Sequence, residues 1–459
     1  MKQRGTGTFK KGLGLTQKLV LLLLVVGLLP FAINAAVSYW QAATALEETA
    51  DHQLEGIREL KKNQVLGYLE ERMGDMVVLS ELIQSLRHEA ELKLKAVEGT
   101  KVQALERYFS KRRSDTLMVA SSPTTINAIQ EFAEAFREEG NRVDGSLWNG
   151  YKEKYGPWYK SFSSGHGYYD LFLISAKGDI VYTNAEESDL GQNLVSGSLK
   201  TSGLGRLFTK ALKGVAIEDY SAYAPSNNQQ AIFVGAPVQE EGRTLGIVAL
   251  QIPTRDVDGI VQAREGLVSS FESYLVGNAQ SPGLRSNRVV KEGHIGEPHT
   301  GPDVELALAG KAGTLHKIGT TGVYELSSYA PINIEGLNWG LVTNGALQEV
   351  VVPKAEGEAE DLMQKYLKAY GYHDIFLFSP DGYAFYTAAK ESDYQTNLLS
   401  GKYSNTSLGR LLKQVLSSRK VELADFSLYA PSGDKPAFFA ATPVVEQGEI
   451  VMLVAVQLP

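Results

Sequence analysis

Three regimes of hydrophobic patterning divide the chain. From Leu19 to Val37 the residues are apolar apart from Asn34, and Tyr39 and Trp40 close the run. A run of that length crosses a hydrocarbon layer about 30 Å thick at about 1.5 Å per residue. From Tyr39 to Ser122 there is no proline, and Leu54, Ile57, Val65, Tyr68, Leu69, Met76, Leu79, Ile83 and Leu86 keep three/four spacing. That spacing predicts a long amphipathic helix. Leu54, Ile57, Lys61, Tyr68, Arg72 and Asp75 recur at an offset of 40 as Leu94, Val97, Lys101, Tyr108, Arg112 and Asp115. The charges on this helix read as a solvated face. Helical spacing resumes over 124–160 through Ile126, Ile129, Phe132 and Phe136, and turns irregular around Gly140 and Gly156-Pro157.

The third regime is short and strand-like, and it occurs twice, over Gly167–Pro253 and Gly371–Pro459. Both copies open on Gly-Tyr-x-Asp and an apolar run, Asp170 to Ile174 and Asp374 to Phe378. Both then carry Glu-Ser-Asp (Glu187 to Asp189, Glu391 to Asp393), Leu-Gly-Arg-Leu (Leu204 to Leu207, Leu408 to Leu411) and Tyr-Ala-Pro-Ser (Tyr223 to Ser226, Tyr429 to Ser432). The offset is 204 through Arg206/Arg410 and 206 from Asp219/Asp425, so one copy gained two residues in between. A repeat this long is a whole small domain. Within it, Leu171–Ser175 and Ile180–Thr183 form a hairpin, Leu204 to Leu212 have helical spacing, and Ala231–Val238 and Leu245–Gln251 are two further strands. A hairpin, a helix and a meander predict an α+β module, an antiparallel sheet with helix and loop over one face, as in PAS-like sensor folds.

Between the copies, Tyr274–Gly277, a short helix Asp303–Ala309, a third Tyr-Ala-Pro (329–331) and Leu337–Thr343 suggest a smaller module without the Glu-Ser-Asp loop. The expected organisation is therefore a basic tail (1–18), a transmembrane helix (19–40) and a helical stalk or bundle (41–160). Module 1 (161–253), module 2 (254–350), a helical linker (351–370) and module 3 (371–459) follow. The apolar run reads as an uncleaved anchor, because it continues into the helical pattern past Ile33-Asn34-Ala35, where a signal peptide would be cut. Lys2, Arg4, Lys10, Lys11 and Lys18 place the N-terminus in the cytoplasm and the remainder beyond the membrane.

Composition narrows the function more than the fold. The formal net charge of −8 gives no reason to expect a nucleic-acid partner, and the absence of cysteine excludes disulfides and thiolate metal sites. No P-loop, His-Glu-x-x-His, Gly-x-Ser-x-Gly or dinucleotide fingerprint occurs. The seven histidines contain no i, i+4 pair; the nearest group is His294, His299 and His316. The expectation is a binding protein, not an enzyme, with no cofactor and no metal.

Several segments together resemble the start of bacterial methyl-accepting chemotaxis proteins with Cache-type sensor domains. They are Gln-Leu-Glu-x-Ile-Arg-Glu-Leu-Lys-Lys-Asn-Gln (53–64), Tyr-Leu-Glu-Glu-Arg (68–72), Tyr-Tyr-Asp-Leu-Phe-Leu-Ile (168–174), Glu-Ser-Asp-x-Gly-x-Asn-Leu (187–194), Ser-Tyr-Leu-Val-Gly (273–277) and Gly-Leu-Asn-Trp (336–339). The resemblance covers most of residues 15–350. It implies a transmembrane chemotaxis receptor-like transducer whose periplasmic Cache modules bind a small molecule and signal through a second transmembrane helix. In this sequence no later apolar run is long enough to span, so a single-pass protein of the bacterial inner membrane is expected, and the apolar stripe of the long helix, which needs a partner surface, suggests a homodimer. Coupling to chemotaxis signalling proteins would run through a cytoplasmic domain absent from this sequence, and a split or truncated reading frame is expected after Pro459. The same modules serve histidine kinases and cyclases, and a periplasmic binding or scaffold protein without output is a further alternative.

A PAS-like pocket calls for aromatics with a few polar anchors on one sheet face. The candidates in module 1 are Tyr182, Asp189, Arg206, Asp219 and Tyr223, with counterparts Tyr386, Asp393, Arg410, Asp425 and Tyr429 in module 3. Trp158-Tyr159 resembles the aromatic half of the family's amino-acid-binding motif, whose arginine two residues earlier is Gly156 here. Asp189 as a turn cap, Tyr223 as a strand end and Arg206 as a helix-surface residue are the competing readings. Module 1 is the expected binding module, since in module 3 Gly191 is replaced by Gln395.

Overall fold

The computed structural model describes Gly12 and residues 14–458. The chain forms two compact units, one up to Asp75 and one from Met76 onward. The predicted helix exists as one uninterrupted element, α1 (Leu15–Ala120), with Pro30 inside it. Its first stretch, Leu19 to Val37, leaves its large apolar side chains exposed and is long and apolar enough to cross a membrane. The basic residues that set the expected orientation lie mostly outside the described residues.

Two helices follow, α2 (Pro123–Glu138) and α3 (Ser146–His166). The expected irregularity at Gly156-Pro157 does not occur, since both lie inside α3. Proline there forfeits a helical hydrogen bond, but Tyr155, Tyr159 and Phe162 are buried on the same helix, and that packing outweighs local propensity. A Cβ at 156 would meet the Tyr182 hydroxyl at 3.5 Å, an ordinary contact, so the space there does not itself require glycine.

Module 1 holds β1 (Asp170–Ser175), β2 (Ile180–Thr183), α4 (Gly203–Ala211), β3 (Ala216–Tyr223), β4 (Gln229–Glu240) and β5 (Arg243–Ile252). The bridging helix α5 (Thr254–Val261) leads to module 2: β6 (Glu272–Gly277), β7 (Gly283–Leu284), α6 (Pro302–Leu308), β8 (Gly313–Ile318), β9 (Tyr324–Ile332) and β10 (Trp339–Ala346). Then come α7 (Leu347–Val351), α8 (Leu362–Tyr370) and module 3: β11 (Asp374–Phe378), β12 (Ala384–Thr387), α9 (Ser407–Ser418), β13 (Glu422–Tyr429), β14 (Lys435–Glu446) and β15 (Glu449–Leu458). Each sheet has five antiparallel strands in one order, β2-β1-β5-β4-β3, β7-β6-β10-β9-β8 and β12-β11-β15-β14-β13.

Several expectations needed correction. The outer strands β3 and β13 carry no clear alternation and were not anticipated. The third Tyr-Ala-Pro is not equivalent to the other two, since Tyr329 to Pro331 lie inside β9 whereas Tyr223 ends β3. The linker helix is only α8, because Asp361 and Gln364 form a capping box that starts it there. The two extra residues of the second copy, with one taken from the connection to the next strand, lengthen its helix to 12 residues in α9 against 9 in α4.

From Met76 onward α1 is the surface on which the modules pack. Met76, Leu79 and Ile83 share a core with Ile375, Leu377 and Val454 of module 3. Leu105, Phe109 and Val119 share one with module 1 and with Leu341 of module 2. The charges here are not all a solvated face: Arg87, Glu91, Glu98, Lys101, Arg112 and Asp115 are buried.

Candidate binding site in module 1

Strand residues alternate between the two faces of a sheet, and the seven candidates do not share one face. Tyr182 points from β2 toward α2 and α3, in the core that also contains Tyr159. Tyr223 belongs to the opposite core, beneath α4. A pocket made of all seven is therefore excluded by the pleat.

Tyr159 and Tyr182 come together. Their ring centroids are 5.3 Å apart, and Phe132 of α2 lies 5.2 Å from Tyr182. Trp148 and Tyr155 of α3 complete an aromatic box around Phe132, at 5.8 and 6.1 Å. Polar groups sit within it. The Tyr182 hydroxyl donates to Asn184 Oδ1 at 2.8 Å, Asn184 Nδ2 donates to Ser163 Oγ at 2.6 Å, and the Tyr159 hydroxyl donates to Thr125 Oγ1 at 3.3 Å. Burial raises both tyrosine pKa values, so the hydroxyls stay protonated and act as donors. Phe132, Trp148, Tyr155 and Asn184 were not among the candidates. The spacing of Trp148, Tyr151, Tyr155, Tyr159 and Phe162, an aromatic stripe at helical period, was the available signal. Beside the box, between α2 and the β1–β2 and β4–β5 turns, lies an open groove of about 390 Å³ bordered by Ile129, Phe136, Arg137, Asp179 and Arg243.

The other candidates lie elsewhere. Trp158 turns outward, 39% exposed, and stacks on Phe162. Arg206 sits on the surface of α4, paired with Glu218, and donates to Thr201 O at 2.7 Å. Asp219 leaves module 1 altogether: it accepts from Arg285 Nε at 2.8 Å and from Trp339 Nε1 at 2.9 Å, both in module 2.

Asp189 and Tyr223 explain the repeat motifs. The Tyr223 hydroxyl donates to Asp189 Oδ2 at 2.7 Å, and Ser226 Oγ donates to Glu187 Oε2 at 2.8 Å. Tyr429–Asp393 and Ser432–Glu391 repeat this, each at 2.6 Å. Glu-Ser-Asp and Tyr-Ala-Pro-Ser are thus two halves of one clasp that ties a loop to a strand end. The loss of Gly191 does not undo it. Gln395 adopts the same left-handed backbone, φ 58° against 81° for the glycine. Beneath the clasp, Asp170 accepts from Thr183 Oγ1 at 2.6 Å and from the Asn184 amide at 2.8 Å. Burial, opposed by these bonds, still pushes its carboxyl up to about 7.

Among the described residues no group of three or more histidines and carboxylates is arranged to hold a metal ion. No family model and no curated protein matches the chain. Solved structures similar to it include the ligand-binding domain of the Pseudomonas fluorescens chemoreceptor CtaA in complex with L-leucine, at 12% identity over 58% of this chain and 98% of that one, TM-score 0.37. Another is the ligand-binding domain of the Pseudomonas aeruginosa amino acid chemoreceptor PctB in complex with L-Arg, at 10% identity over 71% and 99%, TM-score 0.39. The sensor domain of the V. cholerae histidine kinase DctB is similar at 11% identity over 57% and 98%, TM-score 0.37. At such low likeness they carry no role and no ligand across to this chain.

Proposed function

We propose that this chain is the membrane-anchored input part of a chemoreceptor-like transducer, single-pass in a bacterial inner membrane with its modules outside the cytoplasm. In this reading it acts by binding and not by catalysis, its modules are PAS-like, residues 41–75 form a stalk, and two copies pair as a homodimer. The apolar start of α1 supports the anchor. The common strand order, with a helix between the second and third strands of each module, supports the PAS-like reading.

The observation that carries the ligand assignment is the aromatic box. The matching face of module 3 shares its core with α1, with Leu347 and Val351 of the short helix α7 and with Met363 of α8, without an aromatic stripe like that of α3 among the described residues. Module 1 has the α2–α3 hairpin, and with it buried rings interleaved with hydroxyl and amide groups next to the open groove, the composition of a small-molecule site. A ligand stabilises the fold by mass action, so melting the purified chain against a metabolite library reads binding directly. A hit should be lost in Tyr182→Ala and kept in Tyr386→Ala. Loss only in Tyr386→Ala would move the ligand to module 3. Sedimentation in detergent checks the dimer; a monomer at high concentration removes it.

A further inference from the structure

Module 2 differs from its neighbours on the sheet face beneath α6. In module 1 the strand register aligns Asp170, Gln251 and Phe233 in one row, and in module 3 Asp374, Gln457 and Phe439. The matching row of module 2 is Glu272, Asn344 and Ser327. One step along the same face, Tyr274 stands where β1 and β11 carry Phe172 and Phe376. Acid and amide are kept in this row, but at two positions of the face, Ser327 and Tyr274, a polar group replaces the hydrocarbon of a phenylalanine.

Three ion pairs converge there. Arg288 meets Glu272 at 2.5 Å, Lys291 meets Glu325, and Lys317 meets Asp303. Glu272 and Asp303 are fully buried and Glu325 is 2% exposed. The Arg288 guanidinium lies over the Tyr274 ring at 4.2 Å, and the His299 ring meets its edge at 5.0 Å. Burial and the neighbouring Arg288 and Lys317 hold His299 down to about 4, so it stays neutral. Three acids and three bases then leave the cluster with no net charge.

Despite this density, the Tyr274 hydroxyl, Arg288 Nε and Asn344 Oδ1 are buried without a hydrogen-bond partner among the described residues. Each such atom has given up its water without gaining a partner, which destabilises the fold as it stands. They are two donors and an acceptor, with the hydroxyl able to serve as either. A ligand with net charge would bring an uncompensated ion into this neutral, buried cluster, at high cost.

We infer that module 2 contains a second small-molecule site, on the α6-covered face of its sheet around Tyr274, Arg288 and Asn344. Its ligand is a compact polar molecule of zero net charge that both donates and accepts hydrogen bonds. The irregular chain between β7 and α6 covers the face, and its displacement admits the ligand. This site is separate from the aromatic box of module 1 and does not depend on it.

The full chain in detergent, melted and titrated calorimetrically against small zwitterions, polyols, dicarboxylates and polyamines, is the test. Zwitterions or polyols should bind, and Tyr274→Phe should weaken that binding roughly tenfold, the worth of one buried hydrogen bond. Without ligand, Tyr274→Phe should melt at or above the parent, since the lost hydroxyl had no partner. Binding by the charged compounds alone, or by none of the panel, overturns the inference. So does a hit that survives Tyr274→Phe and disappears in Tyr182→Ala, or a ligand-free Tyr274→Phe protein that melts well below the parent.

Discussion

Asp170 and Asp374 occupy the same register position on β1 and β11, and burial pushes both carboxyls up to about 7. The negative charges of Asp189 and Asp393 push the same way. Asp374 is the more exposed to this effect, since its Oδ2 has no hydrogen-bond partner among the described residues. A folded pKa above the usual 3.8 means that folding favours the protonated acid. The stabilisation is complete below that value and is lost as pH rises through about 7. Asp374→Asn keeps the shape and removes the titration. Its melting temperature relative to the parent should therefore climb between about pH 4 and 7 and level off above. His299 and His316, both held down to about 4 chiefly by burial, act in the opposite sense and lose stability as pH falls. The difference between variant and parent is thus the proper measure. A difference that does not change with pH would place the Asp374 pKa near its ordinary value.

At the scale of elements, α1 is read twice. Arg112 lies over the rings of Tyr108 at 4.4 Å and Tyr168 at 4.6 Å and donates to His166 O at 2.7 Å. Asp115 accepts from the Tyr168 hydroxyl at 2.9 Å. Together these seat module 1 on the helix. The other copy keeps the local part of the pattern, with Arg72 over Tyr68 at 5.2 Å and 2.9 Å from Asp75. Arg112→Ala strips a buried cation from Asp115 and Asp256 and should cost on the order of 3 kcal/mol in denaturant unfolding. Arg112→Lys should recover little of it, because an ammonium cannot stack flat between two rings. Full recovery by lysine would reduce the seat to simple charge pairing.

Across the whole molecule, the repeat is symmetric in fold and asymmetric in contacts. Asp219 holds Arg285 and Trp339, and Tyr220 stacks on Trp339 with 5.8 Å between centroids. In module 3 the equivalent Asp425 is exposed, as are Phe426 and Leu428. Asp219→Ala should separate the unfolding of modules 1 and 2 into two transitions, with a loss of about 2–3 kcal/mol at their junction. Asp425→Ala should stay within about 0.5 kcal/mol of the parent. One cooperative transition in both variants would show that the apolar contacts of Trp339 alone couple the modules.

Much of this was legible along the chain. Periodicity revealed α1, because a 3.6-residue period needs no partner to be seen, and the 204-residue repeat revealed two equivalent modules. Apolar runs located the hairpin β1–β2 and the inner strands, whose two buried faces leave a continuous hydrophobic signal. Pairing decided the rest. The edge strands β3 and β13 are half exposed and take their conformation from β4 and β14. Arg112 and Arg87 look like any solvated helix charge until the modules cover them. Asp189 and Asp219 looked alike as polar anchors, yet one closes a loop within its module and the other reaches Arg285, 66 positions along the chain. Which face a strand residue occupies, and what arrives there from elsewhere, follows from register and docking between distant segments. Neither is encoded in the local order of residues, so only the tertiary structure could separate the aromatic box from the clasp and expose the polar face of module 2.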